Sequence, residues 1–103
     1  MYKRLKTQCT KKYYVQILNE TIGLVSPLVN NDESGFYLNI YSQLIDIKKN
    51  VVVEHKFTNW EDINDRYSLG AIATRNFDED DELRNRLCDV FGGAIKYDSM
   101  PEE

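Results

Sequence analysis

The sequence predicts an α+β fold: a mainly antiparallel β-sheet with N-terminal and C-terminal helices packed on one face. Three observations predict it. Apolar residues recur at helical spacing near both ends of the chain, they alternate with polar residues at several places in between, and the connections are of hairpin length. Neither a composition shift nor a Pro/Gly-rich linker interrupts residues 1–103, so one globular domain with one core is expected.

The elements follow in order. Over residues 10–26, Tyr14, Leu18, Ile22 and Val25 recur at helical spacing and Pro27 supplies a stop. Lys11 and Lys12 sit at the wrong end for the helix dipole, and Gly23 costs about 1 kcal/mol relative to alanine, so a strand through "YYVQIL" stays open as the alternative. A polar loop at 29–35 ends in glycine. Phe36, Leu38 and Ile40 then alternate with Tyr37, Asn39 and Tyr41 as in a half-buried strand, which "LIDI" at 44–47 continues. "KKN" at 48–50 reads as a turn into a strand at 51–57, with Val51, Val53, His55 and Phe57 on one face. Thr58 and Glu61 have capping-box spacing ahead of a short helix at 59–66. Alternation returns at 67–76 as another strand, "AIKYD" at 94–98 reads as the last, and "SMPEE" as a frayed tail.

Between these strands lies "FDEDDELRNRLCDVFGG", residues 77–93. Leu83, Leu87, Val90 and Phe91 fall at i, i+4, i+7 and i+8, which predicts a helix with Asp78 as N-cap and Gly92 as its stop. On this reading the acids occupy the first turn, where each contributes about 0.3–1 kcal/mol against the dipole. Asp80 with Arg84 and Glu82 with Arg86 form acid-before-base pairs four residues apart. Helix chemistry accounts for much of the run, but five successive acids exceed what one helix terminus can use.

Several chemistries are disfavoured. A calcium loop starting at Asp78 would need glycine where Leu83 stands and a bidentate glutamate where Asp89 stands, so no metal is expected. Cys9 and Cys88 have neither CxxC nor Cys/His ligand spacing, which gives no zinc site and no disulfide framework. The single histidine, His55, is read as a partly buried, hydrogen-bonded strand residue, and no catalytic residue is assigned. There is no GxxxxGK[ST] or GxGxxG loop, so no cofactor is expected. No apolar run of 18 residues exists and "MYKRLKTQCTKKYY" lacks the apolar segment of a secretory signal, which predicts a cytoplasmic protein with no membrane segment.

Charge bears on the partner. The net charge is −4 and the pI about 5.0, yet residues 1–14 carry Lys3, Arg4, Lys6, Lys11 and Lys12 without an acid. Residues 61–103 carry twelve acids against five bases. The N-terminal lysines interleaved with Tyr2, Tyr13 and Tyr14 have the ingredients of a nucleic-acid surface, but the footprint is short and the remaining charge repels phosphate. A basic protein partner is the better match. Seven tyrosines and one tryptophan are potential interface anchors. The candidate contact residues are Tyr37, Asn39 and Tyr41, placed by the strand reading on one exposed face, and the acidic run Asp78, Glu79, Asp80, Asp81 and Glu82. Which of the two makes the main contacts is left open.

In format the chain resembles the small acidic immunity proteins with which bacteria neutralise a cognate toxin, particularly those of contact-dependent growth inhibition. The features that carry the resemblance are the short acidic domain, the "FDEDDE" run, the "YLNIY" segment and the lack of an assembled active site. The resemblance implies a non-catalytic protein that binds its toxin one to one and blocks a basic active site, such as that of a nuclease, by charge and shape. The alternatives are a small regulatory or adaptor module that binds another protein, and a small enzyme whose site is assembled from residues such as His55.

Overall fold

A computed structural model describes residues 2–103, and among them every regular element is a helix. The α+β expectation is therefore corrected: no sheet is formed by the described residues. Five α-helices, α1 (Lys11–Val29), α2 (Phe36–Ile47), α3 (Trp60–Arg66), α4 (Leu69–Asn76) and α5 (Glu82–Lys96), are joined by short connections, with a π-helical segment over Lys48–Val53. Short 3₁₀ turns occupy Leu5–Thr7 and Tyr97–Ser99.

Of the four segments expected as strands, three are largely helical, and 51–57 is helical over 51–53 and irregular beyond. In α2 the fully buried residues are Ile40, Leu44 and Ile47, spaced i, i+4 and i+7, while Leu38, which strand alternation places in the core, is 52% exposed. The valines of 51–53 lie in the π-helical segment, closed by the Glu54 amide donating to the Lys49 carbonyl five residues back (2.9 Å). Leu69 and Ala73 bury one face of α4. Residues 94–96 simply extend α5, because Gly92 does not stop it.

Tertiary contacts supply what the local signals lack. α1 is flanked by α2 and by α5, and α4 packs on α5. Tyr14 donates to the Val90 carbonyl (2.7 Å) while Glu20 meets Arg86 (3.2 Å), so α1 and α5 run antiparallel. Tyr14, Ile17, Leu18, Val25, Leu87 and Val90 are fully buried in a core shared with α2, α3 and α4, each worth about 1.5–3 kcal/mol of transfer free energy.

The start of α1 shows why two lysines there are tolerated. Thr10 accepts from the Tyr13 amide (3.1 Å), and the Lys11 and Lys12 amides donate to the Pro101 and Glu102 carbonyls (2.8 and 3.1 Å). Lys11 and Lys12 then pair with Glu102 and Glu103. The C-terminal residues, expected to fray, instead satisfy helix donors that have no intrahelical partner, and Met100 is buried beside them. Pro27 lies inside α1, two residues before its end, and is not its stop.

Two capping assignments also move. Asn59, not Thr58, caps α3 by accepting from the Asp62 amide (2.9 Å). Asp81, not Asp78, caps α5 by accepting from the Leu83 amide (2.8 Å). Gly35, at φ 81°, precedes α2 in the left-handed region that glycine adopts freely.

Candidate partner-binding surface

The helical course of residues 36–47 redistributes the trio expected on one strand face. Successive residues turn by about 100°, so Tyr37 and Tyr41 share one side of α2 and Asn39 lies roughly 200° around from Tyr37. Tyr37 is half-buried, edge-on to Phe36 with centroids 5.1 Å apart, and its amide donates to Asp32 Oδ2 (2.8 Å). Asn39 is exposed and accepts from Gln43 Nε2 (3.1 Å). Gln43 in turn accepts from the Ser68 amide and donates to its hydroxyl, tying α2 to the start of α4. Tyr41 is joined instead by Leu38 and Ile45, 52% and 40% exposed, which the alternation argument missed and a helical period would have found.

Asp46 is the one charged residue of α2. Arg66 Nε and Nη2 donate to it at 2.7 and 2.9 Å, the Tyr67 hydroxyl and Asn50 Nδ2 also donate, and Arg66 lies over the Phe57 ring (4.7 Å). The Arg66 hydrogen bonds lead in holding the Asp46 carboxyl down at about 2, against an ordinary value of 3.8. The pair is neutral as a unit. It lines a shallow pocket with Ser42, Gln43 and Tyr67.

The acidic run divides into two parts. Asp78, Glu79 and Asp80 are exposed and precede α5 in a turn, so their charges lie outside its first turn. Asp81 is the cap. Glu82 accepts from Arg86 Nε (2.8 Å), whereas the expected Asp80–Arg84 pair is not among the ion pairs of the described residues. Arg86 has a side chain only 7% exposed; it also donates to Glu20 and lies over the Tyr2 ring (4.4 Å). The Arg86 hydrogen bond pulls the Glu20 carboxyl below its ordinary range. Glu20 is thereby fixed at the surface near Glu82, a placement set by a contact 66 residues apart that no local pattern announces.

Asp89, read from sequence only as a misplaced calcium ligand, fixes the N-terminal segment. It accepts from the Tyr2 hydroxyl, from Arg4 Nε and Nη2, and from the Leu5 amide (2.9 Å). Burial, followed by the hydrogen bond to Asp89, raises the Tyr2 hydroxyl well above its ordinary value.

One contact joins the two candidate segments. Phe77, directly before the acidic turn, packs on Phe36, the first residue of α2, with ring centroids 6.0 Å apart. The acidic turn therefore sits beside the N-terminal end of α2, within reach of one partner.

His55 is not in a strand and not partly buried. It is exposed on the connection before α3 at φ 52°, with Nδ1 3.0 Å from Asp98 Oδ1. Among the described residues no three His, Cys, Asp or Glu side chains are grouped to hold a metal, and no helix is long and apolar enough to cross a membrane.

A helical bundle that sets an exposed acidic turn against a helix with apolar side chains in solvent has the surface of a protein-binding protein. The Tsi6 family model matches residues 13–96, and the chain belongs to that family of type VI secretion immunity proteins. The delivery class expected from format, contact-dependent growth inhibition, is corrected accordingly. No curated protein and no solved structure matches the chain.

Proposed function

We propose that this chain neutralises a cognate type VI toxin by binding it, without catalysis, in a one-to-one complex in the cytoplasm. The contact is made by the segments around Tyr37, Asn39 and Tyr41 together with Asp78, Glu79, Asp80, Asp81 and Glu82, and the acidic part faces a cationic region of the toxin domain. The observation that carries this reading is the Phe36–Phe77 contact, because it sets two segments of different character side by side. Acids that serve neither as cap nor as helix first turn add little to folding, while opposed charge accelerates encounter and fixes register.

The test is co-expression. The toxin encoded beside this chain is produced in a sensitive host with or without it. Growth restored by the wild-type chain supports the reading. Toxicity undiminished by a well-expressed chain would count against it and favour an adaptor for some other protein.

A further inference from the structure

We infer that the outer face of the second half of α1, around Gly23, is a toxin-contact surface, and that its occupant is a toxin domain laying a close-fitting apolar patch on Gly23, Leu24 and Leu28 and reaching Glu20 with an arginine or lysine. The inference rests on the function proposed above and deepens it by adding a third segment to the contact and naming the chemistry that meets it. Glu20, Gly23, Leu24 and Pro27 stand at i, i+3, i+4 and i+7, one face of the helix, which Leu28 continues. All five are exposed. No charged residue follows Glu20 in α1, although a helix that only faces water carries charge on its outer side. Gly23 has no explanation within the fold. Glycine is the poorest helix-interior residue after proline, φ here is not in the left-handed region, and a Cβ would meet nothing within 4 Å. The chain itself thus has no use for the missing side chain, whereas a partner surface brought close against the helix backbone does. Pro27 points the same way: lacking an N–H, it leaves the Gly23 carbonyl, four residues back, without its helical donor.

Charge selects the occupant. Glu20 lies on this same face, one turn before Leu24, and is held in place because Arg86 Nη1 donates to it at 3.2 Å. Arg86 Nε donates to Glu82 at 2.8 Å, so two exposed carboxylates share one buried guanidinium. These three groups keep one negative charge in excess, fixed at the edge of the uncharged surface. An arginine or lysine at the matching edge of the partner balances that charge and has donors to spare for the Gly23 carbonyl. A second copy of this chain is the rival occupant. The only cations its α1 offers are Lys11 and Lys12, and both are already paired, with Glu102 and Glu103. A toxin domain with a cationic region meets the requirement without breaking such pairs.

The experiment uses the purified catalytic domain of the toxin encoded beside this chain as probe and compares wild type with Gly23→Gln. Glutamine is uncharged and a good helix former, and its side chain enters open space, so the variant should melt higher than wild type. The expected result is a more stable protein that nevertheless binds the toxin domain at least about tenfold more weakly, because the added side chain stands where the partner approaches. Instability cannot produce that combination. A smaller loss of affinity overturns the inference. If Gly23→Gln melts early instead, Leu24→Gln, at an exposed position, is read by the same affinity criterion. Glu20→Gln tests the charge: weaker binding, with a smaller dependence on salt, is expected, and an unchanged Kd overturns the cation at that edge. The inference is equally overturned if wild type is a dimer that Gly23→Gln splits while toxin affinity is unchanged, because the face then joins two copies. Failure of wild type itself to bind the toxin domain would instead sink the proposed function.

Discussion

Tyr14 leaves no room for a side chain at residue 93: a Cβ added to Gly93 would lie 2.5 Å from Tyr14 Cδ1 and 2.8 Å from Leu5 Cδ2, while the Tyr14 hydroxyl donates to Val90 one turn back. The glycine is therefore the point at which α5 comes up against the buried ring of α1. Gly92, its neighbour, would meet nothing within 4 Å.

Adjacent glycines should thus respond with opposite sign. Gly93→Ala is expected to lower stability by about 1–3 kcal/mol, as overpacking does, because the fully buried Tyr14 cannot swing aside. Gly92→Ala is expected to raise it by about 0.5–1 kcal/mol, the helix-interior difference between the two residues. Urea midpoints of the two variants check this, and shifts of the same sign would contradict the packing.

The C-terminal residues should behave as part of α1. A chain ending at Met100 loses the carbonyls that accept from Lys11 and Lys12. It is expected to lose roughly 1–2 kcal/mol, the range for a lost cap, and to exchange those two amides faster. Replacing Glu102 and Glu103 by glutamine keeps the carbonyls. It should cost less than about 1 kcal/mol, since the carboxylates are 84% and 77% exposed. Unchanged exchange at Lys11 and Lys12 on truncation would refute the capping role.

The Asp46 pair predicts a specific acid dependence. Its folded-state carboxyl sits at about 2, below the ordinary 3.8, so the stabilisation is whole above about pH 4 and disappears as pH falls through about 2. The stability difference between wild type and Asp46→Asn should therefore shrink across that window. A difference independent of pH between 5 and 2, on the order of the whole window, would show that Arg66 does not hold the carboxylate in solution.

Of the three helices inferred from sequence, α1 and α5 were legible through helical spacing and α3 through a polar start, although the caps expected for α3 and α5 proved to be other residues. Tyr14, Leu18, Val25, Leu87 and Val90 all became buried as their spacing required. The strand readings failed where a period of two was obtained by counting tyrosine as polar and Leu38 as core. "FYLNIY" satisfies that pattern, yet Ile40, Leu44 and Ile47 satisfy the helical one over a longer stretch. β-branched Val51–Val53 misled in the same direction, their propensity overridden by tertiary context. Gly92 and Gly93 read as a stop because local sequence cannot reveal that Tyr14 will occupy the space beside one of them. At the candidate surface, the exposure of Asp78, Glu79 and Asp80 was legible in composition, but the cap at Asp81 was displaced by three residues. The fixing of Glu20 by Arg86 and the meeting of Phe36 with Phe77 are products of the fold alone.

The acidic turn gives the most direct measurement of the central claim, that this is a toxin-binding protein steered by charge. Replacing Asp78 and Asp80 by asparagine and Glu79 by glutamine leaves the Asp81 cap and the Glu82–Arg86 pair intact, so the melting temperature should change little. Association with the neighbouring toxin's catalytic domain is then followed by stopped flow from about 20 mM to about 500 mM salt. The account predicts a wild-type on-rate that falls steeply with salt, and a variant that binds more slowly at low salt, falls less, and meets wild type at high salt. Equal on-rates for the two proteins at low salt would contradict it.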